Sequence, residues 1–325
     1  MRTSRSRSSD ARRPPPVSTS APAPATPTPA LPTPDVAPAG SQRGLLLFCL
    51  FALYVIWGST YLAMRWALVS FPPFLMAGTR FLMAGSLLFG VMWLRGAPLP
   101  SRKQWGASAL IGFLLLVVGN GGVALAQHLG VPSGVAAVLV GSVPLWAALF
   151  GGVFGQWPGR TELGGLALGF AGVVVLNLGG DLGGHPLPML AMLLAPLSWA
   201  FGSVWSRRLP LPQGLMATAA QMLCGGTMML GISLAMGEHL AGVPEPRAVL
   251  SFFYLVVFGS LVAFSAYGYL LRHARPALAT SYAYVNPAVA VLLGVGLAGE
   301  SLRPVTWVAM ATILVSVILI ARRKR

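Results

Sequence analysis

The sequence predicts an all-α, polytopic membrane protein with ten transmembrane helices arranged as two inverted five-helix repeats. Of the 325 residues, 55% are hydrophobic and 9% are charged, whereas soluble domains contain about 25% charged residues. Apolar runs of membrane-spanning length follow one another from about residue 45 to residue 321. Several residues also recur at an offset of about 140. These three observations carry the prediction.

The chain divides into a tail and two repeats. Residues 1–43 are predicted to form a disordered cytoplasmic tail rich in Pro, Ala and Arg, in which large apolar residues are almost absent. The first apolar run starts at Leu45 and continues as a full span, which is not the pattern of a cleaved signal peptide. The first repeat is predicted at 44–181, and the second at 186–325 with a basic cytoplasmic C-terminal tail.

Each repeat contains five predicted helices, separated by short connections that carry Pro, Gly and charged residues. In the first repeat they lie at about 45–66, 73–94, 105–126, 132–154 and 162–180. In the second repeat they lie at about 187–206, 213–236, 249–271, 276–298 and 304–321.

The basic residues predict how the helices cross the membrane. With a cytoplasmic N-terminus, eighteen of the 22 Lys and Arg residues fall on the cytoplasmic side, three fall on the other side, and Arg80 lies within a helix. Cytoplasmic loops of membrane proteins carry such an excess of positive charge. We therefore expect both termini in the cytoplasm. The same distribution explains the formal charge of +15 without a nucleic-acid partner.

The internal repeat indicates a class of function. Trp57 recurs as Trp199 at an offset of 142, and Pro144 recurs as Pro287 at an offset of 143. Because five helices are an odd number, the second copy enters the membrane in the opposite orientation. Inverted repeats are an architecture of secondary transporters, whose substrate site lies near the midplane where the repeats meet.

Residues 54–85 are predicted to form a helical hairpin with polar side chains inside it. Trp57, Tyr61 and Arg65 share one helix face, and this face is too polar for lipid. Arg80 lies seven residues after Pro73, which is roughly 10 Å into the hydrocarbon at the rise of an α-helix. Two alternatives follow: Arg80 snorkels to the interface and the aromatic rings only pack, or the hairpin lines a solute path.

Pro144 and Pro287 are the second pair of candidates. They lie twelve and eleven residues after the prolines that start their predicted helices, so each should interrupt a helix near the midplane. Broken helices there commonly form substrate sites, although proline kinks that serve only packing are equally common. Tyr282 and Asn286 share a helix face beside Pro287 and either present a hydroxyl and an amide to a solute or form an interhelical hydrogen bond.

Most other intramembrane polar residues are predicted to be helix-packing contacts. Two are stronger candidates for the path. Ser203 lies one turn from Trp199, and Gln221 lies one position from the repeat equivalent of Arg80.

Some chemistry is missing from the sequence. None of the seven acidic residues is predicted deep within a span, so the carboxylate usual in proton relays is absent. The four histidines are scattered at loops or helix ends, and the two cysteines lie within apolar runs, so no metal and no cofactor is expected. No phosphate-binding GxxxxGK[ST] loop is present. An enzyme needs an acid/base pair, a metal cluster or an activated nucleophile, so we predict that the chain is not an enzyme.

One sequence motif carries a family resemblance. The stretch WGSTY at 57–61, followed by PPF at 72–74 and AGTRF at 77–81, resembles EamA-type members of the drug/metabolite transporter superfamily, especially YedA-type exporters. The likeness covers about residues 45–321. It implies a ten-helix, two-repeat fold in the bacterial inner membrane that moves small organic molecules, such as amino acids or drug-like metabolites, outward.

The resemblance also implies roles for particular residues. It assigns pathway or gating positions to Trp57, Ser59, Tyr61 and Arg80, and kinks to Pro144 and Pro287. One departure concerns the loop after the fourth helix of each repeat, where family members often have an acidic residue. Glu300 fits this pattern in the second repeat, but Trp157 stands at the matching position of the first, which puts a symmetrical role for the glutamate in doubt.

The leading hypothesis is a secondary transporter, an exporter of small organic metabolites that works by alternating access at a midplane site. The alternatives are a facilitative or exchange carrier for another small metabolite and, further away, an integral membrane enzyme acting on a lipid-linked substrate. The expected partners are a small-molecule solute and the lipid bilayer. Glycine spacings are compatible with a homodimer and do not establish one. The sequence does not specify the substrate, the direction or the coupling.

Overall fold

The computed structural model describes residues 39–131, 136, 139–176, 186–298 and 304–322. Within these ranges the chain consists of helices joined by turns and short loops. Apart from Ala39, the described residues belong to one compact unit, 40–325. The predicted tail up to residue 38 lies outside the described residues, as do Pro132 and Glu300.

The helices follow the predicted apolar runs closely. The first repeat contributes α1 (Ala39–Ala67), α2 (Pro73–Leu94), α3 (Arg102–His128), α4 (Val143–Val153) and α5 (Arg160–Leu176). The second contributes α6 (Pro186–Trp205), α7 (Leu215–Ala235), α8 (Pro246–His273), α9 (Pro276–Ala279), α10 (Tyr282–Ala298) and α11 (Pro304–Arg322). Among the described residues, α1, α2, α3, α7 and α8 are five helices long and apolar enough to cross a membrane. The helical class is confirmed, and the full set of ten spans stays a prediction.

Local sequence signals explain where several helices begin. α2, α8 and α9 each start at a proline, whose fixed φ and missing N–H suit the first turn of a helix. α3 starts with a capping box, in which Gln104 Oε1 accepts from the Ser101 N–H at 2.8 Å. These signals are local, and they start α3 at Arg102 and α8 at Pro246, ahead of the apolar runs predicted from about 105 and 249.

Two pairs of helices that occupy equivalent positions in the repeats pack antiparallel. Gly78 and Gly85 of α2 face Leu230 and Met222 of α7, so the two helices run in opposite directions. At the end of this pair, the Glu238 carboxylate accepts hydrogen bonds from the first N–H groups of α2, at 3.2 and 2.6 Å. Because these N–H groups have no partner within the helix, the contact ties α7 to α2.

The fifth helices of the repeats, α5 and α11, form the second antiparallel pair. Gly165 faces Leu319 and Ile320, and Gly169 faces Ser316 and the Tyr284 ring. A Cβ atom at either glycine would lie under 3.0 Å from one of these neighbours. The glycine spacing in α5 is therefore used for close packing within the chain, and the homodimer stays a prediction.

The third helices of the repeats share an irregularity. α3 is π-helical over Phe113–Gly121 and α8 is π-helical over Leu255–Val262, and the two segments start 142 residues apart. A π-helical segment inside an α-helix frequently marks a functional site. The repeat therefore extends to a backbone feature that hydropathy alone does not reveal.

The predicted proline kinks take a different form. Pro144 lies in the first turn of α4, which begins after a turn at 141–142, so it starts a helix and does not bend one. Pro287 lies inside α10, but the break in that segment comes earlier, at Thr280 and Ser281 between α9 and α10. At this break the hydroxyl side chains of Thr280 and Ser281 bond to preceding carbonyls, and a kink at Pro287 stays a prediction.

Candidate functional site

A cavity lies between helices of both repeats. Its walls come from α1, α2, α3, α6, α8 and α10, together with the first residue of α4 and Val140 before it. The lining residues are Trp57, Thr60, Tyr61, Met64, Arg80, Gly119, Asn120, Val123, Val140, Val143, Ala195, Pro196, Trp199, Gly259, Tyr282 and Asn286. A lining that is mostly apolar with a few polar groups is typical of small-molecule sites.

Aromatic rings form one wall of the cavity. The Trp57 ring lies edge to face with Tyr282 at 4.6 Å and with Trp199 at 5.6 Å between centroids. Trp57 is 7% exposed, and its Nε1 donates to the Gly259 carbonyl in the π-helical segment of α8 at 3.1 Å. Such edge-to-face pairs hold rings in a defined orientation. The two tryptophans of the repeat motif therefore meet in one site.

A hydroxyl behind the wall fixes Trp199. Trp199 Nε1 donates to the Tyr267 hydroxyl at 3.0 Å, and the same hydroxyl lies 2.5 Å from Ser203 Oγ. Ser203 Oγ also donates to the Trp199 carbonyl at 2.6 Å. Since Ser203 and Tyr267 are buried and absent from the lining, they act on the cavity by orienting Trp199.

Arg80 lines the central cavity from α2. It is 2% exposed, so its side chain is buried inside the protein and does not snorkel to the surface. Its Nη2 donates to Asn120 Oδ1 at 3.1 Å, and the guanidinium carbon lies 4.2 Å from the centre of the Phe81 ring. Both partners are uncharged. Asn120 comes from the π-helical segment of α3, which brings it to Arg80.

Two further cavities lie at opposite ends of the helices. One, of about 970 Å³, lies where α1 and α3 end, and Tyr61 lines both this cavity and the central one. The other, of about 960 Å³, lies where α4, α6 and α8 end. Next to it Arg275 donates to Glu162 Oε2 at 3.0 Å and to the Ile320 carbonyl at 2.7 Å. This ion pair connects the start of α9 to α5.

Comparison with known proteins places this architecture in a family. The sequence profile of the EamA-like transporter family matches the chain twice, over residues 42–178 and 186–322. The chain belongs to the EamA-like transporter family. The resemblance drawn from the WGSTY motif is thereby confirmed, and the drug/metabolite transporter superfamily is consistent with it.

Individual relatives of this EamA-like chain agree with the family. It is 49% identical to the uncharacterized inner membrane transporter YedA of Escherichia coli strain K12, over 86% of this chain and 91% of YedA. It is 24% identical to a probable amino-acid metabolite efflux pump of Salmonella typhimurium, over 78% of this chain and 87% of that protein. A solved structure superposes with a TM-score of 0.72 at 22% identity, over 86% of this chain and 96% of that one; this likeness concerns the fold.

The structure brings together six of the eleven predicted pathway residues. Those that line the central cavity are Trp57, Tyr61, Arg80, Trp199, Tyr282 and Asn286. Those that do not line it are Ser59, Pro144, Ser203, Gln221 and Pro287. Ser59 faces α8 instead, where its Oγ lies 2.5 Å from the Tyr254 hydroxyl, while Pro144 follows the lining residue Val143 directly. Whether any of them contacts a solute stays a prediction.

Sequence reasoning missed other members of the site. Asn120 and Thr60 were predicted to be packing residues, and Gly259 and Pro196 were not singled out, yet all four line the cavity. A signal existed for Asn120, because it stands in the run GNGG at 119–122, where the glycines let other helices approach closely beside a polar side chain. Gly259 offered no such signal, since only its carbonyl takes part, through Trp57.

Proposed function

We propose that this EamA-like chain is a secondary transporter of the bacterial inner membrane that exports small organic metabolites. It has ten transmembrane helices in two inverted repeats, both termini are cytoplasmic, and the solute binds in the central cavity by alternating access. The observation that carries the proposal is the cavity itself. Equivalent tryptophans, Trp57 and Trp199, one from each repeat, line it and contact each other.

The helix packing supports the inverted arrangement. The second helices, α2 and α7, and the fifth helices, α5 and α11, each pair antiparallel, as two copies of opposite orientation require. The packing of α3 against α6 also has its counterpart in the contacts of α8 with α1, through Gly259 and Trp57. Repeats related in this way can rock against one another around a fixed site.

The cavities at the two ends supply places where such a motion closes the path. Tyr61 separates the central cavity from the one near Arg65, and the Glu162–Arg275 pair lies beside the one at the other end. The excess of Lys and Arg at the Arg275 end makes it the cytoplasmic end. Solute then enters past Arg275 and leaves past Tyr61.

The outward direction and the substrate range rest on the family and on relatives. One relative is described as a probable amino-acid metabolite efflux pump. The lining of the central cavity contains no carboxylate in the described part of the chain, so a proton relay of the usual kind has no obvious carrier there. Facilitated diffusion, solute exchange and coupling through a proton on the solute are the alternatives that the experiment separates.

The test is uptake into proteoliposomes of labelled amino acids, nucleosides and cationic drugs, with and without an imposed pH gradient. We expect uptake of at least one solute class and its reduction in Asn286→Ala, which changes the cavity wall. Uptake that follows only the solute gradient identifies a facilitator, and uptake that requires solute on both sides identifies an exchanger. Failure to transport any solute, together with turnover of a lipid-linked substrate by the purified protein, would support the enzyme alternative.

A further inference from the structure

Arg80 carries a buried charge that no described residue neutralises. In the described part of the chain, no carboxylate lines the cavity that contains Arg80. The ion pair in that part of the chain, Glu162–Arg275, lines a different cavity. Arg80 Nη2 bonds to an amide oxygen, its Nε has no partner among the described residues, and its Nη1 makes no hydrogen bond to them. A buried guanidinium ordinarily pairs with an anion, because an isolated charge in a medium of low dielectric constant is costly.

We propose that Arg80 is the binding residue for a carboxylate on the transported solute, so that the solute supplies the counter-ion that the described residues do not. This inference rests on the proposed function and names the substrate class of the same cavity. A guanidinium has two edges with parallel donors, Nε with Nη2 and Nη1 with Nη2, and Asn120 accepts one of the two hydrogens of Nη2. One edge therefore keeps two parallel donors, which match the two oxygens of a carboxylate.

The balance of charge distinguishes a carboxylate from other ionised groups. Among the described residues that line the cavity, Arg80 is the only charged one, and one fixed positive charge neutralises one negative charge. A phosphate monoester carries nearly two negative charges at neutral pH, so it would leave an excess. An amine cation would instead meet Arg80 as a like charge, with no carboxylate in the described lining to hold it.

The remainder of the cavity indicates what the carboxylate is attached to. The wall facing the site is built from the Trp57, Trp199 and Tyr282 rings, which suit a flat or apolar body. Asn120 holds the guanidinium from α3. Tyr61 and Asn286 also line the cavity, and Asn286 Oδ1 is buried without a hydrogen-bond partner among the described residues. The best solute is therefore a small carboxylate with an apolar or aromatic body.

The first experiment compares probes that share a phenyl body and differ in charge. Binding of 3-phenylpropionate, L-phenylalanine, L-phenylalaninamide and phenethylamine to the full chain in lipid nanodiscs is measured by calorimetry. We expect the two carboxylates to bind about 10- to 100-fold more tightly than the two amines, the range expected for charge-assisted hydrogen bonds. Equal binding of the amines, or binding of none of the four probes, would overturn the assignment.

The second experiment gives Arg80 an internal counter-ion. Asn120→Asp places a carboxylate where Asn120 Oδ1 now lies, 3.1 Å from Nη2. We expect it to weaken carboxylate binding about 10- to 100-fold while the protein unfolds at the same or a higher temperature, since a new ion pair competes with the solute. Gln104→Glu is the matched control, since it makes the same amide-to-carboxylate change at the start of α3, outside the cavity, and should retain carboxylate binding.

The two variants keep the assignment distinct from a structural role for Arg80. If Asn120→Asp leaves carboxylate affinity unchanged, the guanidinium does not bind the solute. Uptake measurements on the same proteins separate the inference from the transport proposal. Carboxylate binding without uptake refutes transport and supports the assignment, whereas uptake of amines alone refutes the assignment and supports transport.

Discussion

Two arginines inside this EamA-like chain have opposite surroundings. Arg275 has a side chain that is 25% exposed, and it bonds to the Glu162 carboxylate and to the Ile320 carbonyl. Arg80 is 2% exposed, yet its described partners are an amide oxygen and a phenyl ring. The more deeply buried charge is therefore the one that has no counter-ion within the described chain.

The difference separates two uses of a positive charge. The partner of Arg275 is part of the protein, so the pair connects α9 to α5 without a bound solute. The partner of Arg80 must come and go if it is a solute, so a permanent carboxylate would block the site. Removing one partner of a buried pair leaves the other charge without a counter-ion. The two arginines should therefore respond differently to substitution. The predictions below run from the largest to the smallest expected change in stability.

The largest effect is expected in the aromatic wall that faces Arg80. Trp57→Ala removes a ring that is 7% exposed and leaves the Gly259 carbonyl without its donor, so we expect a loss of about 3–5 kcal/mol in the free energy of unfolding. Uptake should fall with it. Labelling of the buried Cys49 thiol during denaturant titration measures the first effect. Trp93→Ala, at a ring that is 58% exposed, is the control and should change little.

The next effect concerns the internal ion pair. Glu162→Gln leaves Arg275 with a neutral partner, and because Arg275 is partly exposed we expect a loss of about 1–3 kcal/mol, below the cost of breaking a fully buried pair. Thermal unfolding in detergent measures it. The exchanged double variant, Glu162→Arg with Arg275→Glu, should recover part of the loss. No recovery, combined with no loss in the single variant, would mean that the pair does not hold α9 against α5.

A smaller effect is expected at a surface arginine. The Arg247 guanidinium lies 3.7 Å above the centre of the Trp66 ring, and contacts of this kind at exposed sites contribute about 0.5–1 kcal/mol. Arg247→Gln should lower stability by that amount and leave uptake unchanged. A loss of uptake here would show that positive charge outside the cavity also attracts the solute.

The smallest change in stability is expected at Arg80 itself. Arg80→Met removes an uncompensated buried charge and also removes one hydrogen bond and a ring contact, so the gain and the losses should cancel to within about 1 kcal/mol. Binding of 3-phenylpropionate should nevertheless be lost. A drop in stability as large as that of Glu162→Gln would mean that Arg80, like Arg275, has a permanent counter-ion.

Prediction from sequence succeeded where the signal was local. Apolar runs and starting prolines placed the helices, because each depends on neighbours in the chain. The WGSTY motif identified the family and two residues of the cavity. Prediction was less successful at Asn120, which was taken for a packing residue. Its place in the cavity depends on Arg80, which is distant in the chain and close in space.

The sequence by itself determined the helical membrane class, the duplication and the family, because hydropathy, charge and repeated motifs are patterns along the chain. Only the tertiary structure decided that Trp57 meets Trp199 and that Arg80 turns inward to Asn120, forty residues away. The physical reason is that an arginine ten ångströms or so into the hydrocarbon can either snorkel or find partners. The partners here come from a π-helical segment of another helix, which no local pattern around Arg80 encodes.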